Sequence, residues 1–223
     1  MSVKVKICGL NSREAAEAAL AAGADFGGLV FFPASPRHVS LHQASGLAAQ
    51  LRGRVRSVAL MVDPSDADVQ EVVEIVAPDF IQLHGNETPA RVASIGALAG
   101  LPIIKALTIG ASADVARAHA YEEVADYVLF DAKADSLANR PGGLGAAFDW
   151  RLLSGVRLKR PWGLAGGLTP ENVARAIQIA GPYFVDTSSG VEDAPGKKSR
   201  EKIAAFLKAT RNAQYTDAKT GTA

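Results

Sequence analysis

A single cysteine, Cys8, lies two residues after Lys6 at the end of a short apolar run, Val3 to Cys8. Alternation along an extended segment puts Lys6 and Cys8 on one side and Val5 and Ile7 on the other. A cation beside a thiol favours the thiolate, the form that can take a proton. The plainer role of a free cysteine is that of a small buried hydrophobe. Other polar residues close further apolar runs: Arg37 after Ser35-Pro36, His84 in Gln82-Leu83-His84-Gly85, Asp131 after Tyr127 to Phe130, and Asp186 before Thr187. Asp63 and Lys105 sit at two more such ends. Pro36 stiffens the approach to Arg37, whose guanidinium can meet a planar carboxylate bidentately. His84 suits hydrogen bonding in a pocket, with a structural role as the alternative. Asp186 is a candidate partner for Lys6, because a lysine facing an interior needs a carboxylate or a lowered pKa.

Glycine adds a second kind of chemistry. Gly166-Gly167 and Ser188-Ser189-Gly190 both follow apolar runs near the end of the chain. Such loops offer backbone N–H groups to a phosphate, because glycine lets an anion approach closely. Metal chemistry has little support. His38 and His42 are four residues apart, but an open metal site would need a carboxylate or His84 to converge on them. One cysteine excludes an internal disulfide framework and any multi-cysteine metal site.

These residues need elements to position them, and the chain punctuates itself regularly. Eight strand runs are expected: Val3 to Cys8, Phe26 to Phe32, Val55 to Val62, Phe80 to Leu83, Pro102 to Leu107, Tyr127 to Phe130, Trp162 to Ala165, and Tyr183 to Asp186. Amphipathic stretches separate them. One opens at Ser12 and closes at Gly23, and another runs from Leu41 to Leu51. Ser65 and Asp68 have capping-box spacing, and Thr88-Pro89 places an N-cap before a proline at the first helical position. Further helices are expected from Ser112 to Tyr121, near Phe148 to Leu153, from Thr169-Pro170-Glu171, and from Lys198 to Ala209. Eight strand–helix units over 223 residues point to an α/β fold, a single (β/α)8 barrel over residues 1–210 followed by a fraying polar tail, 211–223. An open doubly wound sheet is the alternative from the same alternation. In a barrel, all the polar strand ends meet at one mouth.

Composition narrows the partners. Lys and Arg number 24 against 23 Asp and Glu, and aromatic residues make up 6%. That balance gives no footprint for nucleic acid or an anionic membrane, and no stacking surface for single strands. No apolar run approaches the roughly 18 residues of a membrane span. The N-terminus lacks a signal-peptide core, so a soluble cytoplasmic protein, monomer or homodimer, is expected.

Six segments in order carry a resemblance: Lys6-Ile7-Cys8-Gly9-Leu10, Ser35-Pro36-Arg37, Gln82-Leu83-His84-Gly85, Phe148-Asp149-Trp150, Leu164-Ala165-Gly166-Gly167-Leu168, and Asp186 through Glu192. Together the chain resembles the phosphoribosylanthranilate isomerase family. The resemblance implies an Amadori rearrangement of a small phosphosugar substrate in tryptophan biosynthesis, with no cofactor and no metal. It implies Cys8 as general base, Asp131 as general acid, and Arg37 on the anthranilate carboxylate. His84 and Asp186 then border the substrate, and Gly166, Gly167, Ser188, Ser189 and Gly190 hold its phosphate. Leu144 departs from the small hydroxyl residue usual in the family's loop after the sixth strand.

The chemistry is consistent with those side chains. Opening an aminofuranose needs a proton at the ring oxygen, and removing the C2′ proton then gives an enolamine. An acid and a base on opposite sides of the ring are required, and strands one and six lie almost across a closed eight-stranded barrel. An ordinary aspartic acid is only about 0.1% protonated at neutral pH, so such an acid depends on excluded water or a proton shared with the substrate. Two rivals differ by feature. The sister isomerase of histidine biosynthesis needs a second phosphate loop in the first half and a carboxylate where Cys8 stands. A non-catalytic phospholigand-binding barrel has no need of Cys8 and Asp131 at opposing strand ends.

Overall fold

The computed structural model describes residues 2–132 and 149–213. Eight parallel strands close on themselves in sequence order. They are β1 (Lys4–Cys8), β2 (Phe26–Phe31), β3 (Arg56–Met61), β4 (Phe80–Leu83), β5 (Ile103–Ile109), β6 (Tyr127–Ala132), β7 (Trp162–Ala165) and β8 (Phe184–Thr187). Closure pairs β8 with β1 and sets Lys6 opposite Asp186. The open doubly wound sheet is thereby excluded.

The outer helices begin where side chains can take up orphan N–H groups. Ser12, Ser40, Ser65 and Thr88 cap α1 (Arg13–Ala22), α2 (Leu41–Leu51), α3 (Asp66–Val76) and α4 (Pro89–Ala99). Gly23, in the left-handed region, ends α1. The expected fifth helix is split: α5 covers only Ser112–Ala116, and Arg117–Tyr121 tightens into a 3-10 turn. Arg151 lies in a 3-10 turn, Trp150–Leu153. The expected start of that turn at Phe148, the loop bearing Leu144 and residues 214–223 all lie outside the described residues.

Two further departures bear on function. The helix after β7, α6 (Val173–Ala180), begins at Val173 rather than Thr169. The Asn172 side chain accepts from the Thr169 N–H and donates to the Gly167 carbonyl, which holds Thr169–Asn172 as a turn instead. After β8, a 3-10 turn at Ser189–Val191 leads into a hairpin, β9 (Glu192–Ala194) and β10 (Lys197–Lys198), joined at Pro195-Gly196. The last helix, α7, then runs from Arg200 to Asn212, beyond the expected end at Ala209.

Strand parity sorts the core. Val5 and Ile7 pack outward with the helices. Inside, the four even strands each begin with an aromatic residue: Phe26, Phe80, Tyr127 and Phe184. Their rings meet at centroid distances of 5.6 to 6.0 Å and form one of the four-residue layers expected of a barrel interior. Sealed at that end, the barrel leaves its polar residues to the other.

Candidate active site

The C-terminal mouth holds a cavity of about 470 Å³, within the range of small-molecule sites. Cys8, Arg37, His84, Asp131, Gly166, Gly167, Asp186, Ser188, Ser189 and Gly190 all line it. Every residue expected to act on or hold a ligand therefore faces one space. Asp63 and Lys105 do not. The Lys105 ammonium is buried against the Glu87 carboxylate at 2.7 Å, and Asp63 accepts from the Asn86 N–H.

At the floor of the cavity, Lys6 is fully buried and donates to Asp186 at 3.0 Å. Burial works to lower the Lys6 ammonium, but Asp186 and Cys8 outweigh it and leave it raised. Burial pushes the Asp186 carboxyl up, with Lys6 only partly opposing. Its second oxygen, Oδ1, is buried and has no hydrogen-bond partner among the described residues. On β2, Gly28 makes room for this cluster: a Cβ there would press on both Cys8 Sγ and Lys6 Nζ.

Cys8 corrects one expectation. It is 6% exposed and packs with Val30 and Leu60. Burial pushes the thiol up, and the cations Lys6 and Lys198 recover only part of the difference. The resting cysteine is thus held as a thiol, because desolvation disfavours the charged form more than nearby cations favour it. Sequence neighbours reveal charge but not the depth of burial.

Arg37 is engaged by a partner that the sequence reading missed. Its Nε and Nη2 each donate to a Glu192 carboxylate oxygen at 2.7 Å. Lys198 completes the cluster, donating to Glu192 at 2.6 Å and to the Ser188 carbonyl at 3.0 Å. The Pro195-Gly196 turn between two short polar runs was the available signal for this hairpin. Asn11 ties it to the loop after β1 by donating to the Gly196 carbonyl.

The glycine loops are bound to each other and to the cysteine. Thr187 donates to the Leu168 carbonyl at 2.7 Å, and Ser188 donates to the Cys8 carbonyl at 3.0 Å. Gly166 and Gly167 adopt positive φ, 91° and 64°. Across the mouth, His84 Nε2 meets Asp131 Oδ2 at 3.0 Å, and the Gln82 amide nitrogen lies 3.4 Å from His84 Nδ1. Among the described residues, no group of three His, Cys, Asp or Glu could hold a metal ion.

A thiol and a carboxyl on strands three places apart around the barrel, with two glycine loops beside them, can serve acid–base chemistry on a phosphorylated ligand. The family model for N-(5'-phosphoribosyl)anthranilate (PRA) isomerase matches residues 5–209. The chain belongs to this family. An N-(5'-phosphoribosyl)anthranilate isomerase of Rhodopseudomonas palustris strain HaA2 is 51% identical over 216 residues, 97% of this chain and 99% of that one. Among solved structures, the phosphoribosyl anthranilate isomerase of Thermotoga maritima is 36% identical, with a TM-score of 0.84 over 93% of this chain and 98% of its own. Another phosphoribosyl anthranilate isomerase, 33% identical with a TM-score of 0.80 over 93% and 98%, is in complex with reduced 1-(o-carboxyphenylamino)-1-deoxyribulose 5-phosphate. No helix among the described residues is long and apolar enough to cross a membrane.

Proposed function

We propose that this isomerase converts N-(5'-phosphoribosyl)anthranilate to 1-(2-carboxyphenylamino)-1-deoxyribulose 5-phosphate in tryptophan biosynthesis, with Asp131 as acid and Cys8 as base. One observation carries the reading: Cys8 from β1 and Asp131 from β6 line a single cavity with both glycine loops. The phosphate sits on the backbone N–H groups of Gly166, Gly167, Ser189 and Gly190, with the Ser188 and Ser189 hydroxyls beside it. That anchor sets the sugar ring between the two catalytic side chains, and the anthranilate extends toward the loop after β2.

Asp131 delivers its proton to the ring oxygen. The C1′–O bond breaks, and the nitrogen lone pair forms an iminium with C1′. Cys8 then removes the C2′ proton, and the freed electron pair makes the C1′–C2′ double bond as the iminium becomes an amine. This enolamine tautomerises to the ketone, with a proton gained at C1′ and one lost from the C2′ hydroxyl. The iminium adds positive charge beside Cys8, favouring release of the thiol proton to solvent so that the thiolate can take the C2′ proton. Asp186 Oδ1 accepts a sugar hydroxyl, and His84 borders the sugar while holding Asp131. Arg37 meets the anthranilate carboxylate with its end-on edge, Nη1 and Nη2. The dimeric Thermotoga relative supports a homodimer, with a monomer as the alternative outcome of light scattering.

Turnover by Cys8→Ala and by Asp131→Asn tests the assignment. Each variant should lose at least about 10²-fold, the lower end of the value of one positioned acid or base, with an unchanged circular dichroism spectrum. Near-normal turnover in either, with host isomerase excluded, would remove the role given to that residue.

A further inference from the structure

Gln82 is the polar side chain of the Gln82-Leu83-His84-Gly85 strand end that the reaction leaves without a task. It lies on β4 and is fully buried inside the barrel. A buried amide is costly unless its groups are hydrogen-bonded. Yet its Oε1 is buried with no partner among the described residues. The amide nitrogen makes one contact, 3.4 Å to His84 Nδ1. Residues 82 and 84 share a strand face, so the amide addresses the imidazole from beneath while Asp131 meets the ring's other nitrogen at 3.0 Å.

Donor and acceptor rules tie these three residues together. An amide nitrogen can only donate, so Nδ1 facing it must be bare. The neutral ring then carries its hydrogen on Nε2 and donates to Asp131 Oδ2, which accepts as a carboxylate. A half-turn of the amide reverses every sense. The carbonyl accepts from Nδ1–H, Nε2 is bare, and the neutral ring is matched to an Asp131 that donates as a neutral acid. Since Oε1 has no partner to lose, that half-turn breaks only the contact with His84.

We infer that Gln82 is a positioning residue for the acid: the end of its amide that meets His84 sets the imidazole tautomer, and the tautomer sets the form in which Asp131 is held. This deepens the proposed function and rests on Asp131 being the acid. The other charged or titratable groups facing the pair are Asp186 from β8, with Lys6 from β1 behind it, and the Cys8 thiol from β1. Asp186 repels the Asp131 carboxylate and is attracted to a charged His84. On β5, Lys105 is turned into its pair with Glu87, and β7 contributes Ala165 with no charge.

Nitrogen-15 shifts of the His84 ring read the tautomer in the full-length protein. The resting enzyme should show a bare Nδ1 and a protonated Nε2. Gln82→Met, similar in volume and unable to hydrogen-bond as an amide, should change those shifts. It should also move the alkaline limb of the kcat–pH profile by about one unit, with KM within about twofold. The same substitution in a His84→Phe background should move nothing further, since its action runs through the imidazole. Where the Met variant fails to fold, Gln82→Glu serves instead, because its carboxylate can only accept and should place the hydrogen on Nδ1. Unaltered His84 shifts in a folded variant, or effects of the Gln82 and His84 changes that multiply, would overturn the inference. Asp131→Asn separates the two readings. If that variant is active the acid assignment fails, whereas an inactive Asp131→Asn with unaltered His84 shifts in the Gln82 variants overturns only the role of Gln82.

Discussion

Burial and chemistry pull the Cys8 thiol in opposite directions. Burial among apolar neighbours raises the thiol above its ordinary range. Alkylation of the free enzyme by iodoacetamide should therefore follow a pH midpoint above that of an unburied cysteine, because only the thiolate attacks. A midpoint at or below the ordinary thiol value would show the lysines winning over burial. Arg37 divides its charge in a comparable way. Its side-on edge is bound to Glu192 by two 2.7 Å hydrogen bonds, leaving the end-on edge for a ligand carboxylate. Lysine cannot serve two carboxylates with one planar group. Arg37→Met should raise KM for the anthranilate substrate by a loss of about 1.5–3 kcal/mol, the range for a charged hydrogen bond. Its kcat should fall less than that of Cys8→Ala, and inorganic phosphate should bind nearly as before. An unchanged KM would leave Arg37 only as a support for Glu192.

At the scale of elements, the glycine loops are positioned by contacts that admit no side chain. A Cβ on Gly190 would overlap the Leu168 carbonyl, the same oxygen that accepts from Thr187. Gly190→Ala should push the two loops apart, and strain of about 1–3 kcal/mol is typical of such overpacking. Phosphate affinity measured by calorimetry should drop at least about fivefold on that scale, and an unaltered affinity would place the anion elsewhere. The strands and most helix starts were legible in the sequence because their causes are local: alternation, N-cap residues, and glycine at a left-handed C-cap. Lys6 with Asp186 was legible too, since parity and barrel closure bring the two together. The pairing of Arg37 with Glu192 was not, because it joins residues 155 apart through a hairpin whose strands are two and three residues long. His84 with Asp131 was missed for the same reason, each being visible at a strand end without a rule for which ends meet. The late start of α6 was hidden because Thr169-Pro170 resembles a helix opening until Asn172 captures the Thr169 N–H.

Among the described residues, two buried ion networks built around glutamates, besides the Lys6–Asp186 pair, make the molecule's stability respond to acid. One lies at the mouth, around Glu192. In the other, Lys105 on β5 and Glu87, each with a side chain 1% exposed, join the loops after β3 and β4. Burial works to raise both glutamates. For Glu87, the hydrogen bonds from Lys105 and the Asp63 N–H outweigh it, and for Glu192 those from Arg37 and Lys198 do the same, so both end below the ordinary 4.5. A depressed native value means that the folded state holds its proton less tightly than the unfolded chain. The resulting stability is fully present above about pH 5 and is lost as pH falls through the native values. Lys105→Met removes the cation and leaves the buried Glu87 carboxylate with backbone N–H partners only, which should cost about 3–5 kcal/mol at neutral pH. Without its cation Glu87 becomes easier to protonate, so burial no longer opposes a charge once the medium is acidic. The stability gap between wild type and Lys105→Met, measured by urea unfolding, should therefore narrow steadily as pH drops below about 5. Because Lys105 and Glu87 line no part of the catalytic cavity, kcat and KM of the folded variant should stay within about twofold of wild type, as for changes away from a site. A gap that stays constant with pH would show that Lys105 acts through packing of its long side chain rather than through its charge.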